Sequence, residues 1–233
     1  MAMDFSKVKS INIPEGSVSK ITISNNIVWK KPDENPYTIL PYLVAVPSSK
    51  AVIDLGIPYQ NGCRAEFKIT YKGYANIFGV FYTTERCRSY INTKIAYFNV
   101  GTSSSTTAYT QIHDLVDGTD YTINMQADPN TPSVIITIGD NTDEYNPAPK
   151  DWLSWDSSPY SMYLFSVHRQ TPPEDGIRVI HYFKYWDVND NLLLDLIPVE
   201  RKSDGVLGMF NKVNGQFLTN IADGTFYKEI PST

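Results

Sequence analysis

The feature that most restricts the fold of this chain is the regular punctuation of residues 177–227 by turn-forming pairs. Val179 to Trp186 is a run of β-branched and aromatic residues, broken by Asp187-Val188-Asn189-Asp190-Asn191. Leu192 to Glu200 is the next apolar run, broken by Lys202-Ser203-Asp204-Gly205. Val206 to Asn211, Gln216 to Asn220 and Thr225 to Tyr227 follow, separated by Asn214-Gly215 and Asp223-Gly224. Tight hairpin turns need residues that tolerate φ > 0, and Asn-Gly and Asp-Gly supply them. Such pairs between short β-prone runs predict closely spaced antiparallel strands.

The chain upstream reads the same way. In Arg64 to Tyr71, Ala65, Phe67, Ile69 and Tyr71 fall on one face, and Arg64, Glu66, Lys68 and Thr70 on the other. Ile77 to Thr83, Ile95 to Val100, Tyr109 to Val116 and Tyr121 to Met125 are further strand-like runs. Val134 to Ile138 is nearly all β-branched, as a strand buried on both faces would be. Asp140 to Pro159 lacks periodicity and reads as a long excursion. No stretch carries helical periodicity over three turns, so the fold class is all-β, a sandwich or barrel.

Lys7 to Lys30 forms a separate small unit: Pro14-Glu15-Gly16 is a turn, Lys20 to Ile23 alternates, and Ile27-Val28-Trp29 returns. A β-meander this small cannot bury a core of its own, so it docks on something else or adds strands to the main sandwich. Two prolines within Pro32 to Pro36 mark a linker. The expected organisation is an N-terminal β-element over 1–31, a linker over 32–36 and a β-sandwich over 37–233.

Composition limits the function. A net charge of -5 argues against nucleic acid as a partner, because phosphate binding needs a basic patch. No apolar run approaches the roughly 20 residues that cross a membrane, and Met1 to Phe5 lacks a signal-peptide pattern, so no membrane insertion and synthesis in a cytoplasm are expected. Cys63 and Cys87, the two cysteines, read as small buried apolar residues.

Few residues point to catalysis. Glycoside hydrolysis needs two carboxylates at fixed spacing, and the adjacent Asp143 and Glu144 would face opposite sides of a strand. The three histidines, His113, His168 and His181, lack metal-ligand spacing, and no nucleophile motif accompanies them. The expectation is no catalytic residue and no enzyme. Calcium is the one open cofactor: Asp140, Asp143 and Glu144 are a candidate group, while Asp187, Asn189 and Asn191 echo a calcium loop but fit a hairpin turn better. Trp152, Trp155, Asp156 and Tyr160 are the candidate ligand-binding set, since aromatic rings suit sugar faces and protein interfaces, though the two tryptophans would equally anchor the loop. Tyr82, Arg86, Arg88 and Tyr90 are a second aromatic group, read as a solvated edge.

Asp195 to Asn211, Val213 to Asn220 and Gly224-Thr225-Phe226 together form a signature. It resembles the concanavalin A-like (laminin-G-like) jelly-roll domains of bacteriophage virion and tail proteins, many from gut bacteria. Ile13-Pro14-Glu15-Gly16, Val18 to Ile21 and Val28-Trp29-Lys30 resemble the N-terminal segments of the same proteins. The resemblance implies a two-sheet antiparallel jelly-roll sandwich and a non-enzymatic virion structural protein of tail-fibre or head-fibre type. It implies a structural or adhesive role, with other virion proteins as partners through the N-terminal segment. The fold and the aromatic residues together point to host cell-surface polysaccharide as a ligand, and a homo-oligomer is expected, a trimer because phage fibres are commonly trimeric, although no residue here marks a three-fold seam. A carbohydrate-active enzyme on the same scaffold and a purely structural capsid or tail decoration are the alternatives.

Overall fold

A computed structural model describes residues 20–23, 26–30, 35–59, 62–81, 86–101, 107–128, 133–145, 160–168 and 176–230. The chain divides into two compact units, Met1–Pro36 and Tyr37–Thr233. In the first, β1 (Lys20–Ile23) and β2 (Asn26–Lys30) form a two-stranded antiparallel ribbon.

The second unit is a two-sheet antiparallel jelly-roll sandwich. The smaller sheet has six strands, here named in chain order: β5 (Ile53–Pro58), β7 (Ala75–Phe81), β8 (Arg86–Asn92), β9 (Ile95–Gly101), β10 (Thr107–Ile112) and β14 (Ser161–Leu164). Their order across the sheet is β10-β9-β8-β7-β14-β5. The larger sheet runs β13 (Asn141–Tyr145), β12 (Ser133–Ile138), β11 (Asp120–Asp128), β6 (Arg64–Thr70), β15 (Arg178–Trp186), β16 (Leu192–Arg201), β17 (Leu207–Asn211) and β18 (Phe217–Thr219). Two short strands join it: β3 (Tyr37–Ile39) pairs with β16, and β4 (Leu43–Ala45) with β15. Among the described residues the one helical segment is a 3-10 turn at Pro47–Ser49.

The core follows from period-two alternation. On β6, Ala65, Phe67 and Ile69 are buried, and on β15 so are Ile180, Phe183 and Tyr185. Phe67 and Phe183 of the larger sheet meet Phe78 of the smaller one edge-on, at centroid distances of 5.5 and 5.1 Å. Edge-to-face contacts of this kind add roughly 1 kcal/mol each beyond the burial of apolar area. A one-residue slip of either strand would turn these rings outward.

Both seams of the sandwich are closed by side chains that satisfy edge amides. At one seam Asp143 of β13 accepts the Gln111 amide of β10 at 2.7 Å. At the other, the Asn220 side-chain oxygen accepts the Val52 amide at 2.8 Å, and the Ile221 amide donates to the Val52 carbonyl at 3.1 Å.

Four expectations change. Asn141–Tyr145, placed in the excursion, is the edge strand β13; exposed residues surround Asp143, so no apolar alternation announces it. Arg88 and Tyr90 do not lie at a sheet edge: β8 is paired on both sides, by β7 and β9, and its inward row is Cys87, Ser89 and Ile91. Val134, Ile136 and Ile138 are buried while Ile135 and Thr137 are half-exposed, so β12 buries one face only. Finally, Asp223-Gly224 is not a hairpin turn. Gly224 lacks a positive φ, and Phe226 and Tyr227 form no strand beyond the bridge from Tyr227 to Val44.

Candidate functional site

The Asn220 seam opens into a cleft of about 410 Å³. Its C-terminal wall is a loop fixed by one side chain. Asn220 donates from Nδ2 to the carbonyls of Ala222 (2.6 Å) and Gly224 (2.7 Å), while its Oδ1 holds Val52. Gly224 lies so close to the chain opposite that a Cβ there would overlap the Ser49 carbonyl. The Phe226 ring is buried against Phe165 at 4.8 Å. The signature residues Asn220, Gly224 and Phe226 thus build this wall.

The opposite wall is the Pro47–Ser49 turn. Ser49 Oγ donates to the Val46 carbonyl at 2.8 Å, and the turn ends at Lys50 in the left-handed region, φ 48°. Arg178, at the start of β15, is 3% exposed and donates to the Val46 carbonyl at 3.2 Å. Lys50, Arg178, Asp223, Ser166 and the ring of Tyr163 all line the cleft.

The third wall arises from an irregularity in β14. Phe165, fully buried at φ 68°, turns the chain back so that His168 bridges Val80 in parallel. The His168 amide donates to Gly79 at 3.0 Å, and its carbonyl accepts from Phe81 at 2.8 Å. Its ring Nδ1 donates to the Ser161 carbonyl at 2.8 Å, which places the proton on that nitrogen. The ring then stacks on Tyr163 at 4.0 Å, and Tyr160 stands edge-on to it at 5.6 Å. Beyond Tyr163 the same sheet face continues through Gly79 to Arg88, whose guanidinium lies 4.1 Å from both the Phe81 and Tyr90 rings; Tyr90 stacks on Tyr97 at 4.7 Å.

Of the candidate ligand set, Tyr160 is 37% exposed and joins this aromatic group, whereas Trp152, Trp155 and Asp156 lie outside the described residues, as does Tyr82. Asp143 binds Gln111, Asp140 lies in the turn before β13, and Glu144 follows Asp143 on the strand. Among the described residues, no three His, Cys, Asp or Glu side chains gather as metal ligands would. The Asp187 carboxylate accepts the Asn189 and Asn191 amides at 2.9 and 2.8 Å and the Asn191 side chain at 3.0 Å, a self-contained turn. Sequence reasoning missed Lys50, Ser166, Arg178 and Asp223. The left-handed Lys50 had no glycine or asparagine to mark it, and Arg178 reads as a strand terminus.

No protein-family model matches the chain, and no curated protein matches it in sequence. Solved structures do. The mouse laminin alpha1 chain, domains LG4-5, has 11% identity and a TM-score of 0.49, over 84% of this chain and 48% of that one. The native heptameric SAP-like pentraxin from Limulus polyphemus has 9% identity and a TM-score of 0.46, over 84% of this chain and 90% of that one. The enzymatically active domain of bacteriophage CBA120 tailspike protein 2 has 14% identity and a TM-score of 0.38, over 68% of this chain and 30% of that one. The chain therefore spans about half of the laminin chain and about a third of the tailspike chain.

Proposed function

We propose that this protein is a non-enzymatic structural protein of a bacteriophage particle, whose sandwich binds host surface glycan in the seam cleft. The observation that carries the binding part is the cleft itself. An aromatic ring, a hydroxyl and charged groups converge on a concavity of about 410 Å³, the arrangement that orients a small polar ligand. Tyr163 supplies a flat apolar face with a polar edge, held in place by His168. The virion part rests on the resemblance of the C-terminal signature and of the N-terminal segment. In this reading residues 1–31 attach the sandwich to other virion proteins as a homo-oligomer.

The test is a glycan array probed with the intact protein, with and without Tyr163→Ala. Binding to bacterial surface polysaccharide that is weakened by the substitution is the expected result. An array without signal, together with virions that still infect after deletion of residues 37–233, would reduce the sandwich to decoration. Release of reducing ends would instead make the protein an enzyme.

A further inference from the structure

We infer that two copies of this protein pair back to back through the outer face of the larger sheet, about a two-fold axis that runs along the strands between β15 and β16. This names the interface of the homo-oligomer proposed above and rests on that reading. Neighbouring rows of outward side chains fit one another under that axis. In the middle row, Glu66, Lys184, Asp195 and Lys212 stand side by side across the sheet. Lys184 is registered to both Glu66 and Asp195 and lies 3.6 Å from Glu66, and Lys212, just past β17, lies 2.8 Å from Asp195. Their charges alternate in sign, so the row read backwards is its own complement.

The rows on either side are apolar, whereas an antiparallel sheet that faces water carries polar residues on that side. Ile197, Phe210 and Phe217 are registered to one another across β16, β17 and β18. Tyr182, two residues from Lys184, shares their face, and all four are half-exposed. On the other side Trp186 is registered to Leu192, which is 36% exposed. Exposed apolar groups beside a polar row mark a protein interface. A second copy turned about the axis keeps its strand direction and reverses its strand order, as an isologous contact requires. Lys184 then faces the partner's Asp195, and Glu66 faces the partner's Lys212. Tyr182 meets the partner's Ile197, and Trp186 the partner's Leu192. An axis across the strands would instead set each charge over its own copy. Sheets packed face to face stand about 10 Å apart, a gap that opposed Lys and acidic side chains bridge.

The experiment measures the mass of the intact protein by analytical ultracentrifugation, for the wild type, Lys184→Glu, Asp195→Lys and an equal mixture of the two variants. The wild type should show twice the chain mass. Each variant sets two like-charged pairs across the axis and should weaken association by about a hundredfold. In the mixture every charge of one variant faces its opposite on the other, so a dimer of one chain of each kind should return. That recovery also shows that both variants are folded. A trimer, or an assembly that survives both substitutions, would overturn the two-fold pairing and leave the homo-oligomer reading standing. Variants that dissociate and stay apart when mixed would overturn the pairing as well. A monomeric wild type would overturn both.

Discussion

Gly224 and Ser49 touch backbone to backbone: the Cα of one faces the carbonyl oxygen of the other with no room for a side chain between them. That contact sets the width of the seam and joins the two loops that frame the cleft. Substituting Gly224 by Ala should therefore cost roughly 1–3 kcal/mol, the range for overpacking a tight site, and blunt glycan binding as well. Gly215→Ala is the control. It meets no neighbour within 4 Å but sits at φ 75°, so it should cost about 1 kcal/mol and leave binding alone. Urea unfolding of both variants separates the two roles.

Asn220 closes the same seam by bonding the Val52 amide and two carbonyls of its own loop. Asn220→Ala leaves the part-buried Val52 amide and Gly224 carbonyl without this partner, a loss of about 2 kcal/mol. Hydrogen exchange should then quicken at the Val52 amide while the amides of β6 stay protected. Uniform loss of protection would contradict a local role.

Phe183 is fully buried between Phe67 and Phe78, the point where the two sheets meet. Phe183→Ala should cost about 3–5 kcal/mol, the usual range for an aromatic core truncation. A loss below about 1 kcal/mol in thermal or urea unfolding would place the core elsewhere.

Two ionisable groups on the outer face of the larger sheet give the fold an acid limb. Burial holds the His181 pKa below its ordinary 6.5, against the pull of the Asp120 carboxylate. The unfolded chain then binds more protons than the folded one as pH falls below 6.5, so stability declines there until His181 itself protonates. Asp120 lies below its ordinary 3.8, chiefly because the Thr70 hydroxyl donates to it at 2.7 Å, with Lys68 beside it at 2.9 Å. Its contribution is present above 3.8 and is lost as pH falls further, through the folded pKa. His181→Gln should flatten the first decline, and Thr70→Val should make the second shallower. Urea midpoints across a pH series read both.

Much of the fold was legible because local chemistry and tertiary placement agree. Gly205 and Gly215 take φ of 71° and 75° at the turns their Asp and Asn neighbours announce, and Asp204 bonds the Val206 amide within its own turn. The alternation of Arg64–Thr70 is a buried row against a half-exposed row, residue for residue. Legibility failed where the deciding partner is distant in the chain. Asn-Thr-Asp-Glu-Tyr carries no apolar face, because β13 is an edge held by Asp143 to another sheet. Gly224 looked like a turn glycine, but its constraint comes from Ser49. The cleft joins Pro47, Lys50 to Val52, Tyr163, Ser166, Val167, Arg178 and Ile221 to Asp223, a constellation that no local pattern announces. Of the proposed ligand residues, Tyr160 is the one within the described residues, and it stands edge-on to His168, which stacks on the cleft residue Tyr163.

The most direct test of a cleft that binds sugar without cleaving it is an amide-resolved NMR titration of the intact protein with purified surface polysaccharide of the host bacterium. Shifts concentrated at Lys50, Ala51, Tyr163, Ser166 and Ile221 to Asp223, with the polysaccharide's own anomeric signals unchanged, are the predicted result. Shifts confined to the opposite seam around His113 and Asp143, or new reducing-end signals growing with time, would contradict it.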